Sequence, residues 1–257
     1  ATITGTNDAP TISTAAIGPS INEAADASAQ ALNGSGTITF ADAEDADLTI
    51  TGAASATVTA GNGVSIPSDL QTALAAAFSV TDNNNNTASW TLDKDNLNLD
   101  FLATGQTITL NYAVTATDDD GATVTDTITA TITGTNDAPD VSAITDSKTE
   151  DAASFDTDLL SGQTDPDGDT LSVSGTPTIT AVDGNNQSYT LPDGTATVTN
   201  GTLTVDPTKL NGLSAGESVD ITVTYDVSDG TTTTQNTATI TVTGVNDAPT
   251  ISTPVDP

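Results

Sequence analysis

The sequence contains no cysteine, histidine, methionine or arginine among its 257 residues. Without cysteine or histidine, the chain can form no disulfide framework, thiolate site or zinc site. The same absences remove the usual parts of nucleophilic triads and of phosphoryl transfer. Aromatic residues make up only 3% of the chain, whereas glycoside hydrolysis by paired carboxylates usually needs a deep cleft with aromatic platforms. We therefore expect a protein that is not an enzyme.

Positive charge is also scarce. The chain has 35 acidic residues against 3 basic ones, which gives a formal net charge of −32. The basic residues are Lys94, Lys148 and Lys209. A chain this acidic has no charge complementarity to nucleic acid or to anionic lipid, and no apolar run is long enough to cross a bilayer. We therefore expect no nucleic-acid partner and no membrane insertion.

The acidic residues are mostly aspartates near turns. Glutamate occurs only at Glu23, Glu44, Glu150 and Glu217. Short carboxylates in tight loops suit a hard cation that prefers oxygen ligands. At this net charge, repulsion among the carboxylates destabilises the compact state unless cations offset it. An alternative is a solvated acidic surface of the halophilic kind.

One hexapeptide recurs along the chain. Gly-Thr-Asn-Asp-Ala-Pro occupies residues 5–10 and 134–139, and Gly-Val-Asn-Asp-Ala-Pro occupies residues 244–249. The intervals of 129 and 110 residues each suit one ordinary domain, so the motif predicts tandem modules. We place the end of a preceding repeat at 1–8, a first module at 9–137, a second at 138–247 and the start of a following repeat at 248–257. Because the sequence starts and finishes inside the motif, we expect a segment of a longer array.

Alternating apolar residues predict strands throughout both modules. Residues 107–117 and 127–133 alternate threonine with apolar side chains, and residues 219–227 and 238–242 repeat the pattern. This period of two, broken by Gly, Asn and Asp, indicates half-buried antiparallel strands. The sequence therefore predicts an all-β chain of two tandem antiparallel β-sandwiches.

The first module carries a larger insertion, over residues 51–88. The stretch that starts at Ile66 predicts a short helix with Ser68 or Asp69 as its N-cap. The asparagine tract 83–86 indicates an exposed loop or hairpin end, and we interpret Trp90 as a core residue.

Three acidic clusters recur in each module, and carboxylates from separate loops at one end of a sandwich would form a calcium cage. They are Glu23 and Glu150, the stretches 42–47 and 165–169, and the turns 118–120 and 226–229. The spacing of Asp165, Asp167 and Asp169 resembles the start of an EF-hand, but the glycine is displaced and Thr176 stands where the bidentate glutamate belongs. Magnesium suits these clusters less, because it prefers fewer protein ligands in a rigid octahedron.

These motifs carry a resemblance to known families. Asn-Asp-Ala-Pro between β-modules resembles the calcium-binding linker of cadherins. The hexapeptide, with Leu-x-x-Gly before the long strand at 102–105 and 213–216, is similar to the VCBS and cadherin-like repeats of giant bacterial RTX adhesins. The resemblance implies Ig-like or cadherin-like sandwiches joined through interdomain calcium.

The resemblance also implies a set of calcium ligands. Asn136 and Asp137 would lie in the joint, Glu23 with Asp93 or Asp95 would come from the first module, and the second module and the N-terminal edge would supply the rest. Those remaining ligands are Asp165, Asp167, Asp169 and Asp229, and then Asn7, Asp8, Asp42, Glu44 and Asp118. One departure is that Gly134 replaces the leading aspartate of the cadherin linker, which favours fewer ions per joint.

The expected function is that of a structural extender in a large secreted bacterial adhesin at the cell surface, supporting attachment and biofilm formation. It would be monomeric, with neighbouring repeats of the same chain as its partners. An alternative is a module that binds a carbohydrate, a peptide or a surface through the insertion at 51–88. Ice binding through threonine ladders fits a twisted sandwich poorly, and an isopeptide crosslink at Lys94 or Lys209 is a further alternative.

Overall fold

The structure is a computed structural model that describes residues 1–25 and 28–248. The chain divides into two compact units, with the boundary between Asp137 and Ala138. Both units consist almost wholly of strands, which confirms the predicted all-β class. The predicted start of a following repeat, at 248–257, lies outside the described residues apart from residue 248.

The first unit contains nine strands and one helix within its described residues. In chain order these are β1 (Thr11–Thr14), β2 (Ser20–Asn22), β3 (Gln30–Ala41), β4 (Thr49–Gly52), β5 (Thr57–Gly61), α1 (Ser68–Ala75), β6 (Phe78–Asp82), β7 (Thr87–Leu97), β8 (Thr107–Thr117) and β9 (Thr123–Thr133). One sheet has the order β1-β3-β7-β6, and the other has the order β2-β9-β8-β4, with β5 also paired to β8. Buried side chains from both sheets form one core.

The second unit repeats this arrangement with fewer strands. They are β10 (Ile144–Thr149), β11 (Phe155–Asp158), β12 (Ser172–Asp183), β13 (Ala196–Thr199), β14 (Thr202–Val205), β15 (Ser218–Ser228) and β16 (Thr233–Thr243), with a 3₁₀ helix at Pro207–Leu210 between β14 and β15. The sheets have the orders β10-β16-β15-β12 and β11-β14-β13. Their buried faces share a core of their own.

The long hairpin of each unit follows the alternation predicted from sequence. In β8 every second residue is buried, and the threonines between them face outward. β15 shows the same pattern over its whole length. In both units this strand pairs antiparallel with the last strand of the unit, β9 or β16. Apolar residues at every second position therefore form the core, and threonines lie on the solvent-facing side of the strand.

One early strand of each unit departs from the predicted antiparallel pairing. β2 runs parallel to β9, and β10 runs parallel to β16. A parallel pair needs a long connection between its strands, and most of a unit separates these partners in sequence. As a result, the residue after this early strand and the residue after the last strand lie at the same end of the unit.

The insertion forms the predicted helix, but with a different cap. α1 begins at Ser68, and Pro67 occupies the N-cap with no capping side chain. The prediction of Ser68 or Asp69 as N-cap was therefore wrong: Pro67 has the extended ψ of 142° that an N-cap requires, whereas Ser68 and Asp69 are already helical. No helix within the described ranges has the length and apolar character of a membrane span.

Two further features, in the insertion and just after it, match expectation. Trp90 is 3% exposed and packs 6.2 Å from the ring of Phe78, which confirms it as a core residue. The tract 83–86 joins β6 to β7 as a hairpin end, where Asn84 and Asn86 adopt positive φ.

Candidate metal centre

Three carboxylates meet at one end of the first unit. Glu23 follows β2, Asp100 lies in the turn after β7, and Asp137 follows β9. One carboxylate oxygen from each lies within 4.8 Å of those of the other two. Glu23 is 3% exposed, Asp137 is 0% exposed, and Asp100 is half-buried. The fold therefore buries two acidic groups at one place and brings a third, half-buried one close to them.

Neighbouring hydrogen bonds fix the orientation of Glu23. Its Oε2 accepts a bond of 2.7 Å from the Thr135 hydroxyl and one of 3.1 Å from the Thr135 backbone N–H. The Glu23 backbone N–H donates to the carbonyl of Thr133 at 2.8 Å, which continues the parallel pairing of β2 with β9. The other oxygen, Oε1, is buried and makes no hydrogen bond within the described residues.

The electrostatics of this cluster disfavour charge on Glu23. Burial raises its pKa, the two bonds from Thr135 lower it, and repulsion from Asp137 and Asp100 raises it again, so that the pKa lies above its ordinary value. A buried carboxylate with an unused oxygen is costly unless a cation or a proton compensates for it. Lys94, the only basic side chain before residue 138, makes no ion pair with a described residue.

A second cluster lies in one loop of the second unit. Asp165, Asp167 and Asp169, between β11 and β12, bring one carboxylate oxygen each within 4.8 Å of the others. The Oδ1 of Asp165 accepts the backbone N–H groups of Asp167 and Asp169 at 3.0 and 3.1 Å. Its Oδ2 is buried and makes no hydrogen bond within the described part of the chain. The loop therefore presents carboxylate oxygens from successive odd positions, with one face of Asp165 left for a ligand.

The predicted residues at the N-terminal edge of the first unit are linked mainly by hydrogen bonds. The Asn7 amide donates to Asp118 at 2.9 Å and lowers the pKa of that carboxyl. The backbone N–H of Asp8 donates to Glu44 at 3.3 Å, and that of Glu44 donates to Asp42 at 2.9 Å. Loss of solvent is the main cause of the raised pKa of Glu44. The structure thus brings all five together, but three of their carboxylates do not meet as closely as in the two clusters above.

Three other predicted carboxylate ligands lie outside the two close clusters, and the predicted ligand Asn136 adjoins the first of them. Asp93 and Asp95 are exposed on β7, and Asp100 takes the place beside Glu23. Asp229 accepts the backbone N–H groups of Thr231 and Thr232 at 2.6 Å each, which closes the turn between β15 and β16. Asn136 is half-buried next to Asp137, and its amide donates to the Asp137 carbonyl at 2.8 Å.

The glycine that opens the second and third copies of the motif has a steric reason, whereas a Cβ built on Gly5 would meet nothing within 4 Å. A Cβ built on Gly134 would overlap the carbonyl oxygens of Leu102 and Ala103, in the Leu-x-x-Gly segment. A Cβ on Gly244 would overlap the Ser214 carbonyl oxygen and crowd Leu213 in the same way. Close backbone packing at Gly134 and Gly244 therefore leaves no room for a side chain, and only glycine fits there.

Sequence reasoning missed Asp100 as a member of the first cluster. Asp100 gives no repeat signal, because Asn211 stands at the matching position between the paired leucines of the two modules. Glu150 was recognised as a repeated glutamate but not as a site residue, and it is 0% exposed. Its Oε1 accepts the Val245 backbone N–H at 2.8 Å.

Solved structures similar to this chain include several cadherins. Drosophila N-cadherin EC1-4 aligns at 17% identity with a TM-score of 0.39, covering 93% of this chain and 50% of that one. Protocadherin Gamma B2 extracellular cadherin domains 1-5 align at 12% identity with a TM-score of 0.47, covering 95% and 41%. Human Protocadherin-24 EC1-2 aligns at 15% identity with a TM-score of 0.35, covering 93% and 100%. The chain thus spans half the length of the N-cadherin structure, and at these scores the likenesses carry no argument about function.

A comparison with protein families gives a match in the second unit. Residues 136–243 match the bacterial Ig domain family. No curated protein matches the chain. The matched region covers β10 to β16, the strands of the second sandwich. Residues 136–243 are therefore similar to bacterial Ig domains, which indicates an extracellular module of the adhesion type.

Proposed function

We propose that this chain is a calcium-stabilised structural extender within a large secreted bacterial adhesin of the RTX type, with VCBS-like and cadherin-like repeats. Its task is mechanical: it spaces other parts of the adhesin from the cell surface, supports attachment and biofilm formation, and catalyses no reaction. The match of residues 136–243 to bacterial Ig domains supports an adhesion-type module. The set of Glu23, Asp100 and Asp137, in which Glu23 and Asp137 are buried and Asp100 is half-buried, is the observation that carries the role of calcium.

The donor set fits calcium by its chemistry. All three side chains offer carboxylate oxygens, and hard divalent cations prefer oxygen ligands. The Glu23 Oε1 is buried and accepts no hydrogen bond from a described residue, as expected for an oxygen reserved for a metal. Calcium accepts six to eight oxygens in flexible geometry, so further ligands from backbone or water would complete the shell. When bound, the ion would supply the positive charge that removes the repulsion among these carboxylates.

A second ion would be held by Asp165, Asp167 and Asp169 in the second unit. The buried Oδ2 of Asp165 supports this assignment in the same way as Glu23 Oε1. Asn7, Asp8, Asp42, Glu44 and Asp118 would form a related site at the N-terminal edge, where the buried Oδ2 of Asp42 makes no hydrogen bond within the described ranges. The proposal therefore places ligands in both modules.

The effect on the whole chain follows from covalent connection. Asp137 is the last residue of the first unit, and the chain continues directly into Ala138. An ion bound to Asp137, Glu23 and Asp100 fixes the segment after β9 to the end of β2 and to the turn after β7. We propose that this restricts the freedom of the chain between modules. Without the ion, repulsion among the carboxylates loosens the same segment.

Melting of the full chain in calcium and in a chelator tests the proposal. Trp90 is the only tryptophan and lies in the core of the first unit, so its fluorescence reports on that unit alone. Calcium that binds only the folded state adds about 2.7 kcal/mol to the free energy of unfolding when its concentration is a hundred times the dissociation constant. The melting temperature should therefore rise. Sodium chloride at matched ionic strength controls for general screening of a halophilic surface. An equal rise in both salts would contradict a specific site.

Solution scattering tests the mechanical part separately. Calcium should narrow the distribution of particle dimensions relative to chelator, because the segment after β9 is fixed. An unchanged distribution together with a clear rise in melting temperature would retain calcium binding and refute the extender mechanism.

A further inference from the structure

The first unit contains a cleft of about 720 Å³ between α1 and the end of β7. Leu70 and Leu97 are buried at its floor, and Ala73 and Phe101 line it as half-buried residues. Polar side chains form its rim, and they are Ser65, Asp69, Lys94, Asp95, Asn96 and Asn98. The volume falls in the range of small-molecule sites, which combine an apolar floor with a few polar groups.

A bulge in β7 places the polar rim. Opposite β3, the pairing shifts register between Leu97 with Gln30 and Lys94 with Leu32. Asn96 lies within this bulge at φ +57°, a left-handed conformation that asparagine tolerates better than most residues. Bulges interrupt strand pairing and redirect side chains, and they are frequent beside functional sites. The strand thus presents Lys94, Asp95 and Asn96 at a cleft that the inserted helix closes.

Lys94 makes the cleft unusual in this protein. It is the only basic residue before residue 138, and it makes no ion pair with any described residue although Asp93 and Asp95 flank it. Lys148 and Lys209, by contrast, pair with Asp146 and Asp206 at 2.6 and 3.9 Å. The single cation of this unit is therefore held at a cleft and is not used to neutralise a carboxylate.

We propose that this cleft binds a neutral hydroxylated ring, a pyranose unit of a saccharide. Sugar hydroxyls both donate and accept hydrogen bonds, and the rim offers both partners: Asp69 and Asp95 accept, whereas Lys94 donates. The amides of Asn96 and Asn98 do either. One apolar face of the ring would rest on Leu70 and Phe101.

The charges favour a neutral ligand over a charged one. Asp69, Asp95 and Lys94 together leave the rim with one net negative charge, and the whole chain carries −32. An anionic ligand would meet this field unfavourably. A cationic ligand would be repelled locally by Lys94. A neutral ring experiences neither penalty and uses all three groups as hydrogen-bond partners.

Saturation-transfer NMR on the full chain in calcium tests the proposal. The probes are the methyl pyranosides of glucose, galactose and mannose, with methyl glucuronoside as the anionic comparison. Ala73→Phe fills the cleft from α1, and Lys94→Met removes the charged donor. Their matched controls are Gln71→Phe, on an exposed position of the same helix outside the lining, and Lys209→Met in the second unit.

We expect transfer to ring protons of at least one neutral pyranoside. Ala73→Phe should abolish this signal, and Lys94→Met should weaken binding about tenfold through loss of a charged hydrogen bond. The two control variants should bind as the unmodified chain does. Trp90 fluorescence and the melting temperature show that each variant of the first unit is folded.

Three results would overturn the inference. No transfer to any neutral pyranoside excludes the proposed ligand class. Transfer that Ala73→Phe leaves unchanged places binding outside the cleft. Tighter binding of the glucuronoside than of every neutral probe shows that Lys94 selects an anion.

Discussion

Glu23 and Glu150 occupy matching positions in the two units, each after the strand that runs parallel to the last strand of its unit. Both are buried, and both accept a backbone N–H from the residue after the motif glycine, Thr135 or Val245. Asp100 and Asp137 meet Glu23, whereas Glu150 belongs to neither of the close carboxylate groups of the described residues. The difference teaches that a buried glutamate at this position first anchors the end of the sandwich. Under the proposed function it would become a metal ligand only where other carboxylates join it.

One position in the sequence accounts for part of this difference, and the motif aspartate accounts for another part: Asp137 is buried, whereas Asp247 is exposed. Asn211 replaces Asp100 in the matching turn, since Leu99 and Leu102 correspond to Leu210 and Leu213. Both turns are closed by the same leucine-to-leucine hydrogen bond, at 2.9 and 3.0 Å. The scaffold is therefore common to both units, and the charge placed on it is not.

Removing Asp137 should have the largest effect. At calcium a thousand times its dissociation constant, a site of this kind adds about 4 kcal/mol to the free energy of unfolding. Asp137→Asn should lose most of this gain, because it takes one negative charge from the cluster. Trp90 fluorescence measures the melting temperature in calcium and in chelator. Asp247→Asn is the matched control and should keep the full gain, while an unaltered calcium response of Asp137→Asn would refute the site.

The second prediction concerns a feature that both units share, the close packing of the motif glycine against backbone carbonyl oxygens. Gly134→Ala and Gly244→Ala should each destabilise their own unit by about 2 kcal/mol, as expected for overpacking against a rigid backbone. Scanning calorimetry follows both units, and Trp90 fluorescence follows the first. Gly212→Ala is the control, because a Cβ there meets nothing within 4 Å. Equal stability of all three variants would exclude the steric explanation.

A smaller difference between the two glutamates is the hydroxyl of Thr135, since the matching residue beside Glu150 is Val245, which has none. Thr135→Val removes the 2.7 Å bond to Glu23 and should cost about 1 kcal/mol in the free energy of unfolding. Val245→Thr places a hydroxyl beside Glu150 and should stabilise the second unit by less than that. Chemical denaturation measures both. If Thr135→Val is as stable as the unmodified chain, the hydroxyl contributes nothing to holding Glu23.

The smallest expected effect concerns pH in the absence of calcium, because the bonds from Thr135 partly offset burial. The folded pKa of Glu23 lies above 4.5. Its favourable contribution is therefore present below pH 4.5 and is lost as pH rises through the folded value. Glu23→Gln should thus melt at a higher temperature than the unmodified chain at neutral pH in chelator.

Calcium should reverse this order, because the glutamine is a poorer ligand than the carboxylate. Lowering the pH in chelator should close the gap between the two proteins. Glu150→Gln serves as control and should show no reversal on adding calcium. A Glu23→Gln variant less stable than the unmodified chain at neutral pH in chelator would contradict the pKa argument.

The strand pattern and much of the core could be read from sequence. Ile108, Leu110 and Tyr112 alternate with polar residues, and this period of two admits one buried face whatever the partner strand is. The sequence could not show which carboxylate lies beside Glu23. Asp93, Asp95 and Asp100 lie within eight residues of each other, and only the bulge and turn at the end of β7 decide which of them approaches Glu23.

The sequence by itself determined the all-β class, the repetition of the motif and the acidic loops, because these depend on local period and composition. Only the tertiary structure decided that Asp100 joins Glu23 and Asp137, that β2 and β10 run parallel to their partners, and that α1 closes a cleft over Leu97. Each of these outcomes depends on contacts between residues far apart in the chain, which no local pattern encodes. The hexapeptide shows both levels: its recurrence is visible in sequence, whereas the need for glycine at Gly134 comes from the backbone of Leu102 packed against it.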